Sequence, residues 1–341
     1  MNLSRLQRYC SVIGAVLVLV LLLCALWWPA SVVVATLPAA VACINLTLGC
    51  LLLAMVVPLV RGAWQPLLLP GLRLGAKGVP LIVPLLLPVL FGVRLIYPWA
   101  DDTAPGFRGV WLSPLGFSLR SLIYGVIWWA MQRWVVRGPQ GFYPVAVIVQ
   151  VLIVSLAAVD WLMSLQPDFF SSLFGLLQIA RQMLDGLAFA GLIALLTQAG
   201  LRLDILRGVL VAALAFWLYL HAVHYLIIAS VNLPHEAQWY LLRQQGSWSP
   251  LTIGLMSAQG FCLLWLASPL GLWRRSLQWA CGLILLLGAL EALWMSLPSL
   301  PAMAGVAPLA LALLAQVAYF ALVGGWLVRA WRRGLSGGMH D

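Results

Sequence analysis

The chain has 341 residues, of which 64% are hydrophobic and only 8% charged, with a mean hydropathy of +1.03. A soluble domain of that composition could not keep its surface wet, so the sequence reads as an all-α polytopic membrane protein, one integral membrane domain over 1–341. The formal net charge of +10 does not indicate a nucleic-acid partner. The basic residues come in small groups between apolar runs, which is how a positive-inside bias looks.

Near the N-terminus, Arg5 and Arg8 precede an apolar run from Val12 to Trp28. It lacks a small-x-small cleavage pattern and is expected as the first span, not a signal peptide. Apolar runs of membrane-crossing length predict ten spans: 9–28, 32–60, 78–99, 115–134, 142–165, 171–199, 208–231, 250–270, 277–298 and 306–328. Turn chemistry separates several of them, as in PGLRLGAKG at 70–78, DDTAPG at 101–106 and SLPSLPAMAG at 296–305. Pro80, Pro84 and Pro88 recur every fourth residue in the third span, which predicts a kinked helix packed inside the bundle.

Orientation follows from the loops. The N-terminus and every second loop carry fourteen basic residues: Arg5, Arg8, Arg61, Arg73, Lys77, Arg133, Arg137, Arg202, Arg207, Arg274, Arg275, Arg329, Arg332 and Arg333. The opposite side carries four, Arg94, Arg108, Arg120 and Arg243. With an even number of spans, that imbalance predicts both termini in the cytoplasm, and the family resemblance given below implies a bacterial inner membrane. The outer side also holds Trp99, Trp111, Phe169, Phe170, Trp239, Tyr240 and Trp248, expected as interfacial anchors. Its longest loop, 232–249, reads equally as an amphipathic stretch on the headgroups or as a docking site for a partner.

The six cysteines have no CxxC or CxxCH spacing and read as small core residues. Covalently attached haem and iron–sulfur clusters of the chain's own are thereby excluded. His221 and His224 are three apart on one helix and cannot supply both axial ligands of one haem, and no cluster has metal-ligand spacing.

Ionisable residues inside spans are costly, about 2.5–3.5 kcal/mol each on insertion scales, and usually mark function. In the sixth span Gln178, Arg181, Gln182 and Asp185 fall at i, i+3, i+4 and i+7, on one helical face. Counted from Ser171, Arg181 lies about 15 Å and Asp185 about 21 Å deep, within pairing distance of each other. With Asp160, His221, His224 and Glu291 they form a series descending from the outer face to just past the midplane. Such a series is the material of a proton half-channel or of the acid–base surroundings of a bound quinol. The alternative is that each is a locally satisfied polar group fixing helix register.

Two runs carry a family likeness: AVDWLMSLQPDFFSSLFG at 158–175 and HAVHYLIIASVNLPHEAQWYLLRQQGSW at 221–248. They resemble the NrfD-like membrane subunits of bacterial alternative complex III, the ActF-type subunit above all, in a DW-x-MSL-x-P run and a later NLP-E-E run leading to WYL-x-R. Asp160, Pro167, Ser171, Gly175, Asn232, Pro234 and Glu236 match the motifs, while His235 stands where an acidic residue is expected. The resemblance implies an NrfD-like pair of four-helix bundles, spans two to five and six to nine, with flanking helices. It also implies a subunit of a quinol-oxidising complex, with no redox centre of its own and a quinone-adjacent cavity or proton half-channel. Quinone or quinol is then the candidate ligand. The implied partners are a multihaem cytochrome, an iron–sulfur subunit and a sister NrfD-like subunit, besides membrane lipid. A structural anchor for such partners and a secondary transporter are the alternative functions.

Overall fold

The computed structural model describes residues 3–101, 106–137, 140–231, 233–300 and 306–337, and every regular element among them is helical. Helices α1 (Leu3–Ala25) and α2 (Pro29–Val60) lead into a segmented run. That run comprises α3 (Gln65–Ala76), a 3-10 turn at Val79–Leu81, α4 (Ile82–Phe91) and α5 (Val93–Ile96). Next come α6 (Gly106–Trp111), α7 (Pro114–Arg137), α8 (Tyr143–Trp161), α9 (Phe174–Thr197) and α10 (Leu203–Val231). The short α11 (Pro234–Gln244) precedes α12 (Trp248–Ala267), α13 (Arg274–Ser296) and α14 (Val306–Gly337). Nine segments among the described residues are long and apolar enough to cross a membrane, which fits a multi-pass membrane protein. The expected fourth span coincides with α7, a 24-residue helix whose Arg120, Gln132 and Arg133 lower its hydropathy.

Helix α2 is apolar on all sides, and such a helix belongs in the interior. It is buried along nearly its whole length. Its Ala, Gly, Thr and Cys residues let neighbours approach closely, as membrane interfaces favour. Around it α4, α7 and α8 pack as one group and α9, α10, α12 and α13 as a second, with α3 lodged between α2 and α9. The two groups meet chiefly along α2 and α9, while α1 and α14 pair on the flank. Large apolar side chains such as Phe91, Phe261 and Trp279 point outward, a surface suited to lipid and not to water.

The third span departs from expectation. The chain reverses at 61–64, where Arg61 adopts φ 41°, and Gln65–Phe91 then forms one long apolar segment antiparallel to α2. The expected loop at 70–78 therefore lies inside a span, and Arg73 and Lys77 with it. Turn chemistry at Pro70–Gly71 is overridden because the missing side chain of Gly71 lets α3 lie against the Ala190 backbone of α9. The prolines also behave differently. Pro80 sits in the 3-10 turn and Pro84 in the first turn of α4, where no intrahelical bond is lost. Pro88 lies inside α4 as expected, and the face that carries Pro84 and Pro88 turns toward α1 and α14.

The expected outer anchors divide. Trp99, Phe169, Trp239 and Tyr240 are buried, whereas Phe170 is exposed. The 232–249 loop is largely the helix α11, held inward by Arg243. The Arg243 guanidinium lies 3.6 Å from the Trp239 ring centroid and donates to the carbonyls of Trp239, Trp294 and Met295 at 2.7, 3.0 and 2.6 Å.

The two groups repeat one local device. WLMSLQP at 161–167 ends α8, and LWMSLPS at 293–299 ends α13; each run continues into a 3-10 turn. In the first, Trp161 Nε1 donates to Ser121 Oγ on α7 at 3.0 Å; in the second, Trp294 Nε1 donates to Thr252 Oγ1 on α12 at 2.7 Å. Ser164 and Ser296 each return a hydroxyl to the carbonyl four residues back. The outer carbonyls of both tryptophans are also claimed, by Tyr97 Oη at 3.0 Å and by Arg243 Nε at 3.0 Å.

Candidate functional site

Helix α9 begins at Phe174, so Arg181 lies seven residues in, about 10 Å, and Asp185 about 16 Å, both shallower than a start at Ser171 predicts. Arg181 Nη2 donates to Asp185 Oδ1 at 2.5 Å, and Nη1 donates to Glu291 Oε2 on α13 at 3.2 Å. A third bond joins Nη2 to the Ile284 carbonyl at 3.3 Å. The same Glu291 oxygen accepts from Gln259 Nε2 on α12 at 3.4 Å. Its Oε1 accepts from Trp217 Nε1 on α10 at 3.3 Å and faces His221 Nε2 at 3.6 Å. Every one of these side chains is buried. Space for the Asp185 carboxylate exists because Gly288 has no side chain: a Cβ there would stand 2.5 Å from Oδ1.

Two carboxylates face one guanidinium, so with all three ionised the cluster carries a net negative charge in an apolar interior. Uncompensated charge there is expensive, and one added proton makes the cluster neutral. His221 is placed to exchange that proton with Glu291. Its Nδ1 lies 3.3 Å from the Trp217 carbonyl, a contact that puts the ring hydrogen on Nδ1 and leaves Nε2 as an acceptor toward Glu291. Among the described residues, Nε2 and Gln259 Oε1 have no hydrogen-bond partner.

One turn outward on α10 is His224. Its Nδ1 stands 2.6 Å from Tyr240 Oη and its Nε2 3.0 Å from Ser171 Oγ. Burial pushes the Tyr240 hydroxyl above the ordinary tyrosine range, so it remains a donor to Nδ1. Phe169 stacks on Trp239 at 5.3 Å, and the Trp239 ring stands perpendicular to that of His224. These residues close the end of the second group that lies away from the chain termini. Ser171 and Phe169 come from the 158–175 run, and His224, Trp239 and Tyr240 from the 221–248 run. The two motif-bearing stretches therefore meet in space.

Asp160 lies elsewhere. Its carboxylate accepts from Arg120 Nε and Nη2, each at 2.9 Å, from Tyr124 Oη at 2.9 Å and from Trp111 Nε1 at 3.1 Å. It belongs to the α7–α8 contact, and no hydrogen bond or ion pair among the described residues joins it to the Arg181 cluster. Of the six residues expected as one descending series, Arg181, Asp185, His221 and Glu291 come together. His224 lies one turn further out, and Asp160 is an ion pair in the other group.

Toward the termini α9 becomes wholly apolar. From Gly186 to Leu196, α9 carries no polar side chain. Gly49 of α2 and Gly186 of α9 meet backbone to backbone: a Cβ on Gly49 would overlap the Gln182 carbonyl. Between the groups, Asn45, Gln178 and Gln182 line a cavity of about 20 Å³, room for one water.

Sequence reasoning missed Arg120, Tyr124 and Trp111 as the partners of Asp160, and Trp217 and Gln259 as those of Glu291. Arg120 and Gln259 carried a signal, each being polar inside an apolar run. Trp217 carried none. Asn232 and Asp102 lie outside the described residues. No family model matches the chain, and no curated protein matches its sequence.

Proposed function

We propose that the chain is a membrane subunit of a quinol-oxidising respiratory complex of the alternative complex III type, and that its interior cluster holds and passes a proton. The observation that carries this reading is the buried meeting of Arg181, Asp185, Glu291 and His221, drawn from α9, α10 and α13, with two carboxylates to one guanidinium. The route is a half-channel on the outer side: Glu291, His221, then His224 with Ser171 and Tyr240. Its inner end stops at the glycine seam. Contact between the two motif runs supports the family reading, since the residues that carry the resemblance build one cap over the cluster. Counted as spans, α2, the Gln65–Phe91 segment, α7 and α8 beside α9, α10, α12 and α13 suit the NrfD-like arrangement.

In this reading α7 is the tenth span. Helices α1 and α14 run antiparallel, with Gln7 accepting from Arg332 at 2.6 Å, so both ends of the chain lie on one side. An even number of crossings satisfies that arrangement; nine does not. Leaving out Arg73 and Lys77, twelve basic residues still stand against four, which supports cytoplasmic termini. The chain supplies no redox centre, and quinol oxidation would rest on multihaem and iron–sulfur partners and a sister subunit.

Asp185→Asn and Glu291→Gln are the test. In complexes that still assemble, both lower proton release or quinol oxidation; full activity in both variants sinks the relay. Purification without redox subunits would favour a transporter instead.

A further inference from the structure

The proline face of α4 is not absorbed by that function. It forms one wall of a groove of about 480 Å³ shared with α1 and α14, with Pro84, Pro88, Leu87 and Leu322 among its apolar lining. Ser11, Trp326 and Arg329 line it too. Antiparallel packing of α1 against α14 sets Ser11 beside Gly325, so Ser11 and Arg329 stand toward the end of the groove where the chain termini lie.

That end is strongly basic. Trp326 Nε1 donates to the Lys77 carbonyl at 2.7 Å, which brings Lys77 to the same level as the groove's polar end. Arg8 is three residues from Ser11 on α1 and shares its side of the helix. Helices α1, α2, α3, α4 and α14 contain no Asp or Glu at all. The cations gathered here thus have no carboxylate on the surrounding helices to balance them. An apolar trough with a basic end on a membrane-facing surface has the chemistry of a lipid with one acyl tail in the trough and an anionic headgroup at its mouth.

We propose that the α1/α4/α14 groove binds an anionic phospholipid. The phosphate sits against Arg329, Lys77 and the Ser11 hydroxyl, and an acyl chain runs along the Pro84–Pro88 face toward Leu322. The site is separate from the Arg181 cluster and does not depend on the respiratory reading.

Native mass spectrometry of the delipidated full chain, titrated with phosphatidylglycerol or phosphatidylcholine of identical acyl chains, tests it. The expected result is a several-fold preference for phosphatidylglycerol, falling about fivefold in Arg329→Gln. Leu87→Trp, which fills the groove while leaving the charge in place, weakens retention of both lipids. Equal retention of the two lipids by the unmodified chain overturns the proposal, as does unchanged retention in both variants. Helical content and thermal midpoint of each variant in the same detergent separate loss of the site from loss of the fold.

Discussion

Glu291 gives one carboxylate oxygen to Arg181, 110 residues earlier in the chain, and turns the other toward Trp217 and His221. One side chain thereby joins the only guanidinium of α9 to the histidine helix. The two members of this pair are not equivalent in what their loss exposes.

Removing Arg181 leaves two buried carboxylates facing each other, whereas Glu291→Gln keeps the shape and lowers the buried charge. Arg181→Met should therefore cost about 3–5 kcal/mol of apparent stability. Glu291→Gln should cost well under half of that. Thermal unfolding in a single detergent ranks them; equal losses would show that the cluster is not held by charge balance.

Asp160 and Arg120 should behave as a closed unit. Their double-mutant cycle, Asp160→Asn with Arg120→Gln, is expected to show about 1–3 kcal/mol of coupling. Neither change should alter proton handling by the second group once the protein is folded. Proton release that falls as far in Asp160→Asn as in Glu291→Gln would restore Asp160 to the relay.

Gly288→Ala is a steric probe of Asp185. The added methyl meets the carboxylate of a packed neighbour, and overpacking of this kind costs about 1–3 kcal/mol. The carboxylate bands of Asp185 in the infrared should shift in the alanine variant, with little effect from the same change at Gly282, where a Cβ meets nothing.

Tyr240→Phe takes the donor from His224 Nδ1 and leaves a buried ring nitrogen unpaired, a loss of about 1–3 kcal/mol. Ser171→Ala should cost less, because Ser171 is only partly buried and water can replace it. The reverse order would place the stronger of the two bonds on Nε2.

What was legible in the sequence divides along a physical line. Helix positions followed from apolar run length, and the stripe Gln178–Arg181–Gln182–Asp185 followed from helical spacing, because both are properties of one helix. Which helices touch is not periodic. Glu291 and Arg181 could be given matching depths but not contact, and Asp160 fell into the same series though its guanidinium partner, Arg120, was already counted among loop charges. The third span was misplaced because Pro70–Gly71 has the chemistry of a turn; its close fit against Ala190 depends on a helix more than a hundred residues away. The tryptophan device that ends α8 and α13 stood in the sequence as two similar runs. Only the matching bonds to Ser121 and Thr252 show that they do the same thing.

The contact of Gly49 with Gly186 also bears on voltage. A transmembrane potential falls mainly across the least polarisable layer, and from Gly186 to Leu196 α9 itself has no polar side chain to carry or screen charge. Part of the field would then lie between the cluster and the terminal side. A proton continuing inward from Glu291 along α9 would still have this part of the drop to cross, out of a total of about 2.3 kcal/mol for each 100 mV.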